Sequence, residues 1–325
     1  MNMDAICTYT FDVCPVCSFS YRLWRTKGTQ YGDFAIVKCV ECGFAFANPR
    51  PTSEFLREFY AKFGHGGGAR ESLDDVLKGE KAHPNSTLDA KRILNTIVRY
   101  LNPLPLNSPM RLLDVGCGYG FFSREARAQG FEVYALEPAS AERTVAEKIA
   151  WVRPVPLSFE DFSDTDGSFV AILMSQILEH ALDVNLWISK ASRLLIPGGV
   201  LAVALPNFGS IFRMIFQERE PYICPPAHLN FFSPKSLALL LAKHGLQVRK
   251  VQWVTRLDPS AVFKRVPAIK FLGRCIDVPL RLALSSVDLL HLGMMVNIYA
   301  QKGSPEAGVP SNMSVRSNPY STHQS

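Results

Sequence analysis

The sequence lacks the features that would assign it to the membrane-spanning, secreted or basic-tailed classes of protein. It has no apolar run near the roughly 20 residues that cross a bilayer, and no long run of lysine and arginine. Its first ten residues carry Asp4 and no apolar segment behind basic residues, unlike a secretory signal. We therefore expect a cytoplasmic protein. With 325 residues, 47% of them hydrophobic, the chain is long enough for a large globular core.

Half of the eight cysteines form two close pairs. Two residues separate Cys14 from Cys17, and two separate Cys39 from Cys42. Because thiols stay reduced in the cytoplasm, such pairs are better interpreted as metal ligands than as disulfides. Together they supply the four sulfur ligands that structural Zn²⁺ prefers. We predict a zinc ribbon over residues 1–50.

Strands and helices alternate from residue 111 onward, after a linker with a short helix at residues 51–84. This alternation is typical of a mostly parallel sheet with helices on both faces, a doubly wound α/β fold. The seven predicted strands are Arg111–Val115, Glu132–Leu136, Val152–Leu157, Val170–Ser175, Val200–Leu205, Leu246–Val254 and Met294–Gln301.

A glycine-rich turn joins the first of these strands to a helix. Its sequence is Leu112-Leu-Asp-Val-Gly-Cys-Gly-Tyr-Gly120, with Asp114 two residues before the first glycine. Glycines allow positive φ and a close approach of the backbone to a ligand, and open parallel sheets bind ligands beyond the carboxyl ends of their strands. Glu137 ends the next strand, where a carboxylate can accept hydrogen bonds from both hydroxyls of a ribose. The glycine spacing differs from the dinucleotide-binding pattern.

This segment resembles motif I of the class I methyltransferases, and Pro197-Gly198-Gly199 resembles a later turn of that family. The resemblance covers residues 85–302 and implies a Rossmann-like, seven-stranded domain that binds S-adenosylmethionine (SAM). It implies that Asp114 and the glycine turn line the methionine half of SAM, that Glu137 holds the ribose and that residues 158–161 contact the adenine. The implied cofactor-binding residues are Asp114, Gly116, Cys117, Gly118, Gly120, Glu137, Pro138, Phe159, Glu160, Ser175 and Gln176.

Two histidines are the candidate catalytic residues. His180 ends a Leu-Glu-His segment similar to one in methyltransferases of small molecules, sugars and quinone precursors. Imidazole can accept a hydroxyl proton near neutral pH, so His180 is a candidate general base or substrate orienter. The alternative is that His180 and Glu179 cap the next helix and pair with each other. His228 lies in a Pro-x-His-Leu-x-Phe-Phe-Ser run of the same branch, where it either contacts the substrate or fastens its own loop.

Three functions are compatible with these motifs. The N-terminal segment resembles that of methyltransferases from polysaccharide clusters, which favours O-methylation of a small molecule such as a sugar, glycan or lipid-linked intermediate. Arg22, Trp24, Arg25 and Lys27 keep a zinc-ribbon ribosomal or transfer RNA methyltransferase as an alternative. A non-catalytic SAM-binding scaffold is the third. A small-molecule acceptor is therefore favoured over nucleic acid as the partner, and the oligomeric state is left open.

A basic amphipathic segment, residues 259–292, separates the last two predicted strands. We interpret it as two helices that serve as a lid, a dimer contact or a peripheral membrane-surface element. Residues 303–325 are rich in serine, proline, asparagine and glycine and are expected to be disordered.

Overall fold

The structure, a computed structural model, describes residues 7–63, 72–101, 109–255 and 286–303. The predicted insertion at 259–292 lies outside the described residues up to residue 285, and the predicted disordered tail lies outside them from residue 304. Within the described ranges, no helix combines the length and the apolar character needed to cross a membrane.

The elements follow one another in a regular order along the described chain. The strands are β1 (Cys7–Tyr9), β2 (Tyr21–Thr29), β3 (Gly32–Cys39), β4 (Ala45–Ala47), β5 (Arg50–Pro51), β6 (Arg111–Val115), β7 (Glu132–Leu136), β8 (Phe169–Ser175), β9 (Leu195–Pro206), β10 (Asn230–Phe231), β11 (Leu246–Val254) and β12 (Met295–Lys302). The helices are α1 (Ser53–Phe63), α2 (Leu73–Ala82), α3 (Asn85–Leu101), α4 (Phe121–Ala128), α5 (Ser140–Ala150), α6 (Val184–Leu194), α7 (Ile211–Phe216) and α8 (Pro234–Lys243).

A six-stranded sheet in the order β11-β12-β9-β8-β6-β7 forms the centre of the molecule. Strands β7, β6, β8 and β9 run parallel, whereas β12 pairs antiparallel with both β9 and β11. Successive strand residues face opposite sides: Leu112 and Leu173 pack under α3 and α4, while Leu113 and Ile172 pack under α6 and α8. The predicted doubly wound α/β fold is therefore confirmed.

The prediction of seven strands is wrong in one place. The segment predicted as a strand at Val152–Leu157 forms only an isolated parallel bridge from Val155 to Leu136 of β7. Val155 donates its N–H to Ala135 and accepts one from Glu137, but Pro154 and Pro156 flank it. Because proline has no N–H to donate, the ladder cannot extend to either side.

The N-terminal segment shares its sheet with a distant part of the chain. Strands β2, β3 and β4 are joined by β10, in the order β10-β4-β3-β2, so Phe46 pairs with Asn230 and Ala45 with Phe231. Phe44 also packs against Phe232, with 4.6 Å between ring centroids. The segment predicted as a zinc ribbon thus adjoins the α/β domain through backbone pairing and through a common apolar core.

The described part of the predicted linker is mainly helical. It contains α1, where Phe55 N–H donates to the Thr52 hydroxyl at 3.0 Å, and α2, which Ser72 caps at Asp75 N–H. Such hydroxyl caps satisfy helix N–H groups that lack an intrahelical partner. The sequence analysis predicted only the first of these helices, although Ser72 and the acidic first turn also mark the start of the second.

Candidate active site

A cavity of about 400 Å³ opens at the carboxyl ends of β6 and β7 and beside the end of β8. This is the size of a small-molecule site. Its wall joins the glycine turn, the loop after Val155, the turn after β8 and the first turns of α1. The lining residues are Ser53, Leu56, Arg57, Tyr60, Val115, Gly116, Leu136, Pro138, Ala139, Pro156, Leu157, Ser158, Phe159, Glu160, Asp161, Ile177, His180, Leu182 and Trp187.

Gly116 is the residue of the glycine turn that lines the cavity, whereas the predicted cofactor-binding residues Cys117, Gly118 and Gly120 do not line it. Gly116 has φ +67°, and a Cβ built there would lie 2.7 Å from Cδ1 of Ile177. Gly120 has φ +83°, and its Cβ would lie 3.1 Å from the backbone of Ala146 in α5. Both positions need glycine for conformation and for space. Cys117 N–H donates to Leu136 O at 2.9 Å, which fastens the turn to β7.

Glu137, the predicted ribose ligand, is fully buried between the lining residues Leu136 and Pro138 and does not itself line the cavity. Its two carboxylate oxygens accept hydrogen bonds from Gly118 N–H and Ala139 N–H, both at 2.9 Å. The side chain therefore braces the glycine turn, a role that the sequence analysis missed. A carboxylate that receives two backbone amides is held in one orientation by charge-assisted bonds.

Asp114 is also buried behind the turn and does not line the cavity. It accepts a hydrogen bond from the Ser123 hydroxyl at 2.7 Å, which ties α4 to β6. Burial and the nearby Glu137 together raise the pKa of Asp114 to about 6, and the hydrogen bond from Ser123 opposes the shift. The position predicted to touch SAM therefore supports the turn from below.

The loop predicted to contact adenine lies on the cavity wall. Phe159 and Glu160 line the cavity, and Glu160 accepts a hydrogen bond from Trp187 Nε1 at 2.8 Å. Lys190 donates to the carbonyls of Phe159, Glu160 and Phe162 at 2.7–3.0 Å. Side chains of α6 thus fix the loop in place.

The end of β8 turns sharply next to the cavity. Gln176 has φ +57°, which is uncommon for a residue other than glycine. Both its N–H and its side-chain amide donate to Ala204 O, at 2.7 and 3.2 Å. Ser175 and Gln176 do not line the cavity; the turn instead brings the next residue, Ile177, against Gly116.

His180 lines the cavity together with Tyr60, in a single 3₁₀ turn at Leu178–His180. We call this part of the wall the acceptor side, because the sequence predicts that His180 contacts the methyl acceptor. The Nδ1 of His180 is 2.8 Å from Ala227 O and 3.0 Å from the hydroxyl oxygen of Tyr60, which also donates to Ala227 O at 3.0 Å. A carbonyl oxygen only accepts, so Nδ1 carries the proton and Nε2 is the basic nitrogen. This tautomer suits a general base.

His228 packs edge-to-face against His180, with 4.8 Å between ring centroids. Its Nδ1 donates to Tyr222 O at 2.8 Å. Burial lowers the pKa of His228 to about 4, and the bond to Tyr222 opposes this shift. A base this weak is poorly matched to neutral pH, so His180 is the better candidate for proton transfer.

The sequence analysis missed Tyr60 on the acceptor side, and it named Glu179 only as a possible partner of His180. Tyr60 of α1 contacts His180 across 120 residues of sequence, and no local pattern marks that contact. Glu179 is buried, and neither of its carboxylate oxygens has a hydrogen-bond partner among the described residues. Burial raises the pKa of Glu179 to about 8, so this carboxyl carries a proton at neutral pH.

The four paired cysteines meet at one point beside the N-terminal sheet. Their sulfur atoms all lie within 4.8 Å of one another, with Cys14 and Cys42 at 3.6 Å and Cys17 and Cys39 at 3.4 Å. Zinc–sulfur bonds of about 2.3 Å place tetrahedral ligands about 3.8 Å apart. The donor set and the spacing therefore fit Zn²⁺.

The comparison with protein families gives one decisive match. The model of a methyltransferase domain matches residues 88–251, which is half of the chain and includes the glycine turn, Glu137 and His180. The chain belongs to the class I SAM-dependent methyltransferase family. The matched region of the methyltransferase begins within α3 and ends within β11.

Curated relatives of this methyltransferase include enzymes named for ubiquinone biosynthesis. The mitochondrial ubiquinone biosynthesis O-methyltransferase of Bos taurus is 28% identical over 174 residues, which cover 49% of this chain and 47% of that protein. The ubiquinone biosynthesis O-methyltransferase of Rhizobium etli (strain CIAT 652) is 28% identical over 111 residues, covering 33% and 44%. The chain thus spans about half the length of the curated relatives it matches.

Solved structures similar to this methyltransferase include phosphoethanolamine N-methyltransferase 2 of Haemonchus contortus in complex with SAM. It shares 15% identity and a TM-score of 0.48, and the alignment covers 88% of this chain and 69% of that one. The 1,6-didemethyltoxoflavin-N1-methyltransferase of Burkholderia thailandensis shares 17% identity and a TM-score of 0.47, with coverages of 82% and 98%.

Proposed function

We propose that the protein transfers the methyl group of SAM to a hydroxyl oxygen of a small molecule. The observation that carries this proposal is one cavity lined both by Gly116 and Pro138 on the cofactor side and by His180 on the acceptor side. A methyl donor and an acceptor held in one cavity meet the need of methyl transfer for a positioned, in-line approach. The relatives named as O-methyltransferases favour oxygen as the acceptor atom.

Different residues of the protein hold the cofactor and accept the proton. Bound SAM supplies an electrophilic methyl group on a sulfonium. Gly116, in the turn that Glu137 braces, and Pro138 line the part of the cavity that would hold the cofactor. His180 Nε2 would accept the acceptor's hydroxyl proton while the new oxygen–carbon bond forms and the carbon–sulfur bond of SAM breaks to release the demethylated product, and Ala227 O keeps the imidazole in the required tautomer.

Sugar, glycan and lipid-linked acceptors are the finer candidates within this class, because the N-terminal segment resembles that of methyltransferases from polysaccharide clusters. The RNA alternative has less support. Two of the basic side chains on β2 already contact one acidic residue, Glu218. Arg25 lies 3.6 Å from the Glu218 carboxylate, and Lys27 donates to Glu218 O at 2.6 Å.

Calorimetry with SAM and its demethylated product, followed by a screen of hydroxylated acceptors, tests the proposal. We expect both nucleosides to bind and His180→Ala to keep SAM affinity while losing about 100- to 10,000-fold in kcat. His83→Ala is the control, because its side chain is exposed and outside the cavity. Lack of binding to both nucleosides, or full activity of His180→Ala, contradicts the proposal.

We also propose that Cys14, Cys17, Cys39 and Cys42 hold one structural Zn²⁺. Four sulfur ligands leave no open coordination position, so the ion stabilises the fold and takes no part in methyl transfer. A metal assay should find about one zinc per chain. Cys39→Ser should release the metal and lower the melting temperature. Cys224→Ser is the control, since Cys224 lies outside the cluster; zinc retained in full by Cys39→Ser refutes the assignment.

A further inference from the structure

Arg50 is a fully buried arginine in β5, a few residues after the last of the four paired cysteines. Its guanidinium donates to Ala181 O at 3.0 Å, to Leu182 O at 2.7 Å and to Asn230 Oδ1 at 2.6 Å. Burial lowers the pKa of Arg50 to about 9, with a small opposing effect of Asp183, so the group stays charged at neutral pH.

This arrangement costs free energy, which makes its presence informative. All three of these hydrogen-bond acceptors are neutral oxygens, and Nε of Arg50 has no hydrogen-bond partner within the described part of the chain. The rings of Phe11 and Phe46 face the guanidinium, with centroids 4.9 and 5.9 Å from Cζ. Burying a charge without a hydrogen-bonded opposite charge rarely stabilises a protein more than apolar packing would. A positional role explains why the charge is there.

Asn230 continues the network around the turn that carries His180. Its side-chain amide donates to Ala181 O at 2.7 Å and to the carbonyls of Leu178 and Glu179, both at 3.3 Å. Together with the bonds from Arg50, two side chains engage the four carbonyls that flank His180. One of these side chains comes from the N-terminal segment, and the other comes from β10, which pairs with β4.

We propose that Arg50 is a positioning residue for methyl transfer, which holds the 178–182 turn so that His180 Nδ1 meets Ala227 O. This role rests on the proposed function of His180. The planar guanidinium fork reaches acceptors on two separate segments at once, which the single nitrogen of lysine cannot do. The N-terminal segment therefore contributes to the reaction through Arg50 of β5.

The experiment compares Arg50→Lys and Arg50→Ala with Arg111→Ala in the full-length chain. Arg111 is a matched control: its guanidinium also lies over two aromatic rings, those of Tyr134 and Phe169, but at the opposite end of β6 from the cavity. The readouts are SAM affinity by calorimetry, kcat and KM for the acceptor, and nitrogen NMR of histidine-labelled protein, which reports the tautomer of His180 without any acceptor.

We expect both Arg50 variants to bind SAM like the wild type while kcat falls on the order of 100-fold, the usual effect of a misplaced catalytic group. The His180 signal should change from the Nδ1-protonated tautomer to a mixture. Free guanidinium ion should restore part of the kcat of Arg50→Ala, and Arg111→Ala should keep wild-type kcat and tautomer. An unchanged kcat and an unchanged His180 signal in Arg50→Lys overturn the proposal.

Two results separate this proposal from the proposed function. If the wild type binds SAM but methylates no acceptor, the proposed function fails, and the NMR comparison still tests Arg50 by itself. If Arg50→Ala does not fold, Asn230→Ala breaks the same network from the other side. A wild-type His180 signal in both Asn230→Ala and Arg50→Lys then rules out the positioning role.

Discussion

The two sides of the cavity are built in different ways. The cofactor side comes mainly from one short stretch of chain, from β6 through the glycine turn to the end of β7, with the 156–161 loop beside it, and the turn relies on backbone conformation and backbone N–H groups. The acceptor side brings together side chains from separate segments: Tyr60 and His180 line the cavity, and His228 packs against His180 without lining it. We infer that changes on the first side alter cofactor affinity, whereas changes on the second alter the rate of transfer.

Gly116→Val should have the largest effect on the cofactor side. A β-branched residue at φ +67° is strongly disfavoured, and its Cβ would lie 2.7 Å from Ile177 Cδ1. We expect SAM affinity to fall by more than about 100-fold, equivalent to about 3 kcal/mol. Gly118→Ala is the comparison, because nothing lies within 4 Å of its Cβ and only the strain of about 1–2 kcal/mol applies. Equal losses in the two variants, measured by calorimetry, would show that space at Gly116 is unimportant.

Glu137→Gln should weaken SAM binding by about 10- to 100-fold, because hydrogen bonds to a charged group contribute about 1.5–3 kcal/mol. An amide has one acceptor oxygen, so its NH₂ group would face one of the two donors, Gly118 N–H or Ala139 N–H. Glu132→Gln is the control, since this carboxylate is exposed at the start of the same strand. Calorimetric titration with SAM and with its demethylated product compares the affinities of the two variants and the wild type. Wild-type affinity in Glu137→Gln would argue against a bracing role of the Glu137 carboxylate.

Tyr60→Phe should sharpen the contrast from the acceptor side. The variant loses the hydroxyl that contacts Ala227 O and His180 Nδ1, and with it hydrogen-bond energy of about 0.5–1.5 kcal/mol that helps to orient His180. We therefore expect kcat to fall about 2- to 10-fold. SAM affinity should not change. Tyr100→Phe, whose hydroxyl bonds Arg249 O on the outer surface, should leave kcat unaltered. A loss of SAM affinity without a loss of kcat would reverse the proposed division between the two sides.

Glu179→Gln should have the smallest effect on the rate, because a protonated carboxyl and an amide are similar in shape and charge. Its effect is on stability. The folded pKa of about 8 lies above the ordinary value of 4.5, so the folded state holds an extra proton between these pH values. Wild-type unfolding free energy should therefore fall as pH rises through that window, by up to about 1.4 kcal/mol per pH unit from this group.

Denaturant unfolding of Glu179→Gln at pH 5 and pH 7 provides the measurement. The variant lacks the titrating group, so its stability should fall less than that of the wild type between these two pH values. Glu80→Gln is a suitable control because the Glu80 carboxylate already accepts hydrogen bonds from Ser86 N–H and Thr87 N–H. Parallel curves for the wild type and Glu179→Gln would mean that Glu179 is ionised in the folded protein.

The same contrast explains what the sequence could predict. The glycine turn and the paired cysteines are local patterns whose conformation or ligand chemistry restricts the residue type, so both could be recognised from the sequence alone. The brace by Glu137, the approach of Tyr60 and the burial of Arg50 depend on contacts between distant segments. The failure at Val155 had a local cause, since the two flanking prolines were visible and their effect on strand pairing was overlooked.

The pairing of β4 with β10 has a consequence for how the protein is made. Arg50 and Asn230 are 180 residues apart, so the edge of β4 has no partner on the ribosome until most of the chain has been synthesised. The four clustered cysteines all lie within residues 14–42 and can meet early, but their cluster does not cover that edge. Unpaired strand edges invite association with other chains, and long-range pairing is slow. A nascent chain that stalls before Asn230 would therefore expose the strand Ala45–Ala47, which makes arrested chains of this protein more prone to aggregate than the finished chain.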